Sequence, residues 1–201
     1  KSKEVDVLLS DAIDEDQRRS LNEMTKEGLL KEGIGPAMEI GYITLLTNKE
    51  PFSNPIIREA IAYSINRSLI SERVSYGLRE PLYSIIPPSL KNESPGPWPE
   101  YNPEHARRLM TSQGYCSNRK LNIPLTYRSN IPADKLLALT WQSQIKNDLS
   151  DCFVIKLDGI ESTTVYRQLS KGVFPAVILD WRGSYPDPEA YLTPFFSCNE
   201  I

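Results

Sequence analysis

The 201-residue sequence has little of what metal-dependent and membrane-spanning proteins require. It has one histidine, His105, which excludes zinc sites built on two histidines, HExxH among them. Its three cysteines, Cys116, Cys152 and Cys198, show no CxxC spacing, so we expect no metal site. The longest apolar runs are short, as at 176–179, and fall well below the ~20 residues of a membrane-spanning helix.

A strong charge of one sign and the common catalytic motifs are also missing. The formal net charge is −3, whereas nucleic-acid-binding domains normally carry a basic face, so we expect no nucleic-acid partner. There is no GxSxG nucleophile elbow, no GxxxxGK[ST] phosphate loop and no GxGxxG motif, since the GIG at 33–35 lacks the third glycine. We therefore expect neither an enzyme nor a cofactor.

What is present is the pattern of a globular α/β protein. Hydrophobic residues make up 40% of the chain and charged residues 24%, both close to the globular average. Beyond residue 120, strands alternate with helices; the strands are expected at 121–127, 153–157 and 174–181, and the helices at 133–149, 163–171 and 187–195. This βαβαβα order predicts right-handed crossovers and parallel strands.

The first half of the sequence predicts further elements. Apolar runs predict strands at 5–8 and 40–46, and the stretch between them is typical of a helix that is capped by Asp11 or Asp14 and ends near 33–36. A second helical region begins at Asn54 and ends at Gly77, and Asn66 could divide it by capping a second helix. A third helix is expected at 103–113.

Two loops of the βαβαβα half carry side chains suited to recognition. In parallel sheets ligands bind beyond the carboxyl ends of the strands, where these loops are expected. Arg128 offers a planar fork of donors that suits a carboxylate, and Trp181 and Tyr185 offer flat apolar walls. Gly183 permits close approach of the backbone to a ligand. Core packing of Trp181 and a solvated surface charge at Arg128 are the alternative interpretations.

A series of motifs runs through the chain in order: NKEPF at 48–52, IREAIAYSINR at 57–67, IPP at 86–88, YNPEHA at 101–106, GY at 114–115, WRGSYPDP at 181–188 and FSC at 196–198. Together they resemble the signature of family 5 bacterial extracellular solute-binding proteins. These are the dipeptide-, oligopeptide- and nickel-binding components of ABC importers. The resemblance covers nearly the whole chain.

The resemblance implies an α/β, periplasmic-binding-protein-like lobe with a mixed, mostly parallel sheet flanked by helices. Members have two lobes and are much longer, so 1–201 is expected to be a single α/β lobe, most of the C-terminal one, from a longer protein. The implied function is the substrate-binding component of an ABC import system, which binds a peptide or similar small polar solute between its lobes and delivers it to a permease in the inner membrane. A solute-sensing effector domain of a regulator or chemoreceptor is the alternative.

The same resemblance implies a location and an assembly state. The protein is expected to be periplasmic or extracytoplasmic, with or without a lipid anchor, because members are exported. It is expected to act as a monomer.

Carried over residue by residue, the resemblance implies a ligand site made of Arg128, Trp181, Arg182, Gly183, Ser184, Tyr185 and Asp187. Arg128 falls where the dipeptide-binding protein has an arginine for the ligand's C-terminal carboxylate. The segment that begins at Trp181 falls where aromatic and backbone groups line the peptide. We expect Arg128 and residues 181–184 to lie at one edge of the sheet, open to solvent.

Ser184 is a departure from the family pattern. Peptide binders place an aspartate there to pair with the ligand's α-ammonium, and a serine supplies no charge. A buried ammonium without a counter-charge is costly, by several kcal/mol if fully desolvated. Either a neighbouring acid, Asp180 or Asp187, takes over this role, or the ligand is not a peptide with a free amino group.

The cysteines leave two interpretations open on their own: free thiols, or one disulfide with the third cysteine unpaired. Cys116 and Cys152 each come just before a predicted strand, and neighbouring strands would bring them close together. Because the family is exported, we expect these two residues to be disulfide-bonded and Cys198 to be free.

Overall fold

The computed structural model describes residues 5–8, 13, 15–33, 35, 38–75, 77–90 and 96–197. Along them the helices and strands follow in the order α1 (Glu15–Lys26), β1 (Glu39–Leu45), α2 (Pro55–Tyr63), α3 (Arg67–Ser75), α4 (Pro103–Ser112), β2 (Leu121–Arg128), α5 (Pro132–Asp148), β3 (Phe153–Ile160), α6 (Ser162–Leu169), β4 (Ala176–Arg182) and α7 (Glu189–Phe196). A 3₁₀ turn, Pro88–Leu90, precedes α4. Within these residues, no helix combines the length and the apolar character that crossing a membrane requires.

The strands form one mixed sheet in the order β1-β4-β2-β3. Strand β2 is parallel to β3, with Leu121 opposite Phe153, and parallel to β4, with Leu125 opposite Ala176. Strand β1 is antiparallel to β4. The βαβαβα order predicted the parallel strands and the resemblance predicted the mixed sheet; both predictions are confirmed.

Helices cover both faces of this sheet. Trp141 on α5 packs in one buried cluster with Ile123 of β2 and Ile178 of β4. On the other face, Val165 of α6 packs with Val177 of β4. Successive residues of a strand point to opposite faces, so β4 is buried on both sides and reads as a continuous apolar run in the sequence.

Residues 5–8 do not form the predicted strand. Val5 and Val7 are 70% and 75% exposed, and the segment lies outside the sheet. An apolar run becomes a strand only where a neighbouring strand supplies partners for its backbone N–H and C=O groups. The prediction from local composition was therefore wrong.

Helix α1 ends earlier than the sequence predicts. Gly28 adopts a φ of 74°, in the left-handed region, and the Leu29 amide donates to the Met24 carbonyl at 3.0 Å. A left-handed glycine together with this six-to-one bond is the Schellman motif that closes helices. The two predicted cap residues, Asp11 and Asp14, lie outside the described residues.

Asparagine caps set the boundaries of the next two helices. The Asn54 side chain accepts from the Ile56 amide at 2.9 Å at the start of α2. The Asn66 side chain accepts from the Leu69 amide at 3.0 Å at the start of α3. The predicted division of this helical region at Asn66 is confirmed.

A disulfide joins the amino ends of β2 and β3. It links Cys116, in the loop after α4, to Cys152, whose carbonyl accepts from the Leu121 amide at 2.8 Å. Cys152 is fully buried. Cys198 lies outside the described residues.

Removing this disulfide is expected to lower the free energy of unfolding by about 2–4 kcal/mol, because the cross-link restricts the unfolded chain over a sequence separation of 36 residues. The double variant Cys116→Ser, Cys152→Ser would be compared with the wild-type 201-residue chain by urea unfolding. Wild type in a reducing agent is the matched control and should unfold at the midpoint of the variant. Equal midpoints for the variant and the oxidised wild type would contradict the prediction.

Candidate functional site

The candidate site lies at the carboxyl edge of the sheet. Arg128 is the last residue of β2, Ile160 of β3 and Arg182 of β4, and these three strands are parallel. The loops that follow them therefore leave the sheet at the same edge. The guanidinium of Arg128 contacts the carboxylate of Asp180, directly before Trp181. The predicted placement of both segments at one edge is confirmed.

Arg128 is buried rather than open to solvent, which corrects the expectation from the sequence. Its exposure is 3%. Asp134, in the first turn of α5, and Asp180, near the end of β4, both approach it and supply the counter-charge that a buried guanidinium requires. The alternative interpretation as a solvated surface charge is wrong for the same reason.

The five N–H groups of the Arg128 guanidinium all have acceptors. Nε donates to Asp134 Oδ2 at 2.7 Å. Nη2 donates to Asp134 Oδ1 and to Asp180 Oδ2, both at 2.9 Å. Nη1 donates to Asp180 Oδ1 at 2.8 Å and to the Tyr166 hydroxyl at 2.6 Å. Since a guanidinium has five donors and no acceptor, this set of bonds leaves none for another group.

We call Arg128, Asp134, Asp180 and Tyr166 the arginine cluster. Burial by itself lowers the pKa of a guanidinium, but the hydrogen bonds and charges of the two acids outweigh it and hold the pKa of Arg128 above its ordinary value. Burial, followed by the charge of Asp180 and the nearby Tyr166 hydroxyl, raises the pKa of the adjacent Tyr42 to about 12, although Arg128 opposes this shift. The cluster pairs one guanidinium with two carboxylates.

Trp181 and Gly183 pack against α7. The Trp181 indole N–H donates to the Ala190 carbonyl at 2.9 Å, and its ring meets the Phe195 ring edge-on, with centroids 5.7 Å apart. A Cβ on Gly183 would lie 2.9 Å from a ring carbon of Tyr191. The close approach of α7 thus explains why a glycine stands at position 183. The Trp181 side chain packs on α7 and is only partly buried.

The rest of the loop between β4 and α7 faces solvent. Arg182, the last residue of β4, is exposed, and so are Ser184, Tyr185 and Asp187 of the loop, with Tyr185 at 47%. The Asp187 carboxylate accepts a hydrogen bond at 2.8 Å from the amide of Glu189, which is the first residue of α7. A carboxylate in this position is stabilised by the helix N-terminus. Tyr185 and Ser184 are therefore the loop side chains most available to a ligand.

The sequence reasoning did not include Asp134 and Tyr166 in the site. Asp134 lies six residues after Arg128, in the first turn of the helix that follows its strand. An acid at that position can fold back onto the strand end, which is a signal that the sequence contains. Tyr166 lies on α6, the helix that follows β3. Nothing in the sequence around Tyr166 relates it to Arg128.

Comparison with known proteins decides the family. The family model described as bacterial extracellular solute-binding proteins, family 5 Middle, matches residues 1–201. The chain belongs to this family. Its relatives include the peptide transport periplasmic protein SapA of Salmonella typhimurium, 26% identical over 174 residues, which are 86% of this chain and 31% of that protein. The glutathione-binding protein GsiB of Salmonella choleraesuis is 37% identical over 120 residues, 59% of this chain and 23% of that protein.

Solved structures of the same kind share the fold. The Escherichia coli murein tripeptide binding protein MppA matches with a TM-score of 0.77 at 22% identity, over 90% of this chain and 36% of its own. Haemophilus influenzae OppA in complex with RPPGFSPFR matches with a TM-score of 0.78 at 21% identity, over 90% of this chain and 37% of its own. The chain thus has the fold of periplasmic binding proteins and spans about a third of the length of SapA.

Proposed function

We propose that this chain is part of the substrate-binding component of an ABC import system, which binds a peptide or a similar small polar solute and delivers it to a membrane permease. The observation that carries the proposal is the exposed loop between β4 and α7, set at the carboxyl edge of the sheet in a chain of this family. In open α/β sheets this edge is where ligands bind. The relatives named for peptide transport and glutathione binding support the ligand class.

In this proposal, 1–201 forms one lobe and the ligand lies between it and a second lobe. Trp181, Tyr185 and Ser184 would line the ligand, with the backbone at Gly183 close by. The protein would work outside the inner membrane, where such relatives as SapA are periplasmic by name. Its permease would take the ligand from the cleft once the two lobes separate.

Native mass spectrometry of the full-length protein mixed with a casein hydrolysate tests the proposal. Complexes with short peptides are expected, and their masses would give the range of ligand lengths. Because an extended peptide makes main-chain hydrogen bonds as well as side-chain contacts, several unrelated sequences should be retained. A full-length protein that retains no peptide would contradict the proposed ligand class.

Tyr185→Ala is expected to weaken binding of a retained peptide by about tenfold, since the change removes an exposed aromatic wall of the kind that dominates binding energy. Stability should change by less than about 0.5 kcal/mol, because the side chain is 47% exposed. Calorimetric titration of both proteins with the same synthetic peptide measures the effect. Val173→Ala is the matched control, being 49% exposed and placed before β4, at the opposite end of that strand. Equal losses in the two variants would argue against a specific role for Tyr185.

A further inference from the structure

The arginine cluster has the wrong polarity for a carboxylate. Every N–H of Arg128 is already bonded to Asp134, Asp180 or Tyr166. A ligand carboxylate would have to displace one of these acceptors and would then lie beside two aspartates. Arg128 is also 3% exposed, so a ligand could reach it only after the cluster had opened. Direct anchoring of a carboxylate by Arg128 is therefore disfavoured on both geometric and electrostatic grounds.

The uncompensated charge of the cluster is located at Asp180. One guanidinium faces two carboxylates, which leaves one negative charge in excess. The Asp134 side chain is 7% exposed, whereas the Asp180 side chain is 35% exposed. Both Asp180 oxygens accept from Arg128 at 2.8 and 2.9 Å, and each carboxylate oxygen can accept a second bond. Asp180 can thus accept a hydrogen bond from a cation on its solvent side while Arg128 keeps it in place.

The other acid, Asp187, is held at one oxygen only, by a helix end. Asp187 accepts from the first amide of α7 and lies in the favourable field of that helix N-terminus. Ser184, exposed in the same loop, has no charge to offer. Of the two acids that could replace an aspartate at Ser184, Asp180 is the one with both carboxylate oxygens held by a side chain of the protein, while its own side chain stays 35% exposed.

We infer that Asp180 binds a cationic group of the ligand, a primary ammonium such as a peptide N-terminus, and that Arg128 is a positioning residue that orients Asp180 through a two-point contact. This inference rests on the proposed function. It moves the amine-binding site from the loop, where Ser184 stands, to the end of β4. Because successive residues of a strand point to opposite faces, the bound ammonium would lie on the Arg128 side of the sheet edge, and Trp181 would lie on the α7 side.

Chemical acetylation of the ligand tests the inference in the full-length protein. A casein hydrolysate would be divided, and one half acetylated so that its amino groups lose their charge. By native mass spectrometry, wild type is expected to retain the untreated peptides, and acetylation of one retained peptide should weaken its calorimetric affinity by roughly 10- to 100-fold, the range of a charge-assisted hydrogen bond. Amidation of that peptide's carboxyl end should have an effect of less than about threefold.

Two variants assign the effect to Asp180. Asp180→Asn should reduce the discrimination between free and acetylated peptide to less than threefold. Asp134→Asn is the matched control, because it removes the other carboxylate of the cluster. The Asp134 side chain is only 7% exposed and out of a ligand's reach, so the discrimination between free and acetylated peptide should persist. Circular dichroism would check that each variant is folded, and the wild-type comparison of free and acetylated peptide stands independently of the variants.

The possible results are distinct. Equal retention of free and acetylated peptides by wild type would overturn the inference and leave the proposed function standing. Unchanged discrimination in Asp180→Asn would also overturn it, because the ammonium would then bind elsewhere. A protein that retains neither half of the hydrolysate would contradict the proposed function, and the inference would fall with it.

Discussion

Arg128→Met is expected to lower the free energy of unfolding by about 3–5 kcal/mol, which is the usual cost of removing one partner from a buried ion pair. The change leaves the Asp134 carboxylate, 7% exposed, without its two charge-assisted bonds to the guanidinium. Methionine fills much of the arginine volume but supplies no donor. The loss should therefore come from the unpaired carboxylate rather than from a cavity. Urea unfolding of the 201-residue chain, followed by circular dichroism, measures it.

Two comparisons separate this explanation from a general effect of losing an arginine. Arg182→Met changes an exposed arginine at the same edge of the sheet and should stay within about 0.5 kcal/mol of wild type. The double variant Arg128→Met, Asp134→Leu should recover a large part of the loss, because apolar replacements of buried ion pairs are often neutral. An Arg128→Met protein with wild-type stability would show that the cluster contributes nothing to folding.

The resemblance and the periodicity predicted the fold class because both depend on features repeated along the chain. Strands β2, β3 and β4 each carry a short apolar run that is followed by a helical pattern, and that order admits few topologies. Residues 5–8 have a similar apolar run but lie outside the sheet. Membership of a sheet depends on a neighbour, which local composition does not encode.

The site was predicted less completely than the fold, and Arg128 shows why. Its position at the end of β2 follows from the strand pattern, and so does its place beside the β4 loop. Its burial and the loss of its free donors depend on Asp180, 52 residues away, and on Tyr166, 38 residues away. Tertiary partners of this kind decide whether an arginine can anchor a ligand. A role transferred by sequence position alone does not include them.

Trp141→Ala is expected to lower the free energy of unfolding of the 201-residue chain by about 3–5 kcal/mol, in the range for large aromatic residues lost from a core. Trp141 is fully buried on α5, in the cluster that includes Ile123 and Ile178 of the sheet. Its indole N–H also donates to the Ser64 hydroxyl at 3.3 Å, which ties α5 to the end of α2. The substitution therefore removes packing between two layers as well as one buried hydrogen bond.

Trp141→Phe separates these two contributions. It keeps most of the apolar area and removes the indole N–H, while the Ser64 hydroxyl still donates to the Ile61 carbonyl at 2.7 Å, so Ser64 keeps a partner. The loss in this variant should be about 1–2 kcal/mol, with a cavity much smaller than that of alanine. Leu139→Ala, on the same helix and 44% exposed, is the control and should change stability by less than about 0.5 kcal/mol. Similar losses for Trp141→Ala and Leu139→Ala in urea unfolding would show that the α5 face is not a rigid part of the core. A loss in Trp141→Phe as large as in Trp141→Ala would instead assign the stabilisation to the hydrogen bond between α5 and Ser64.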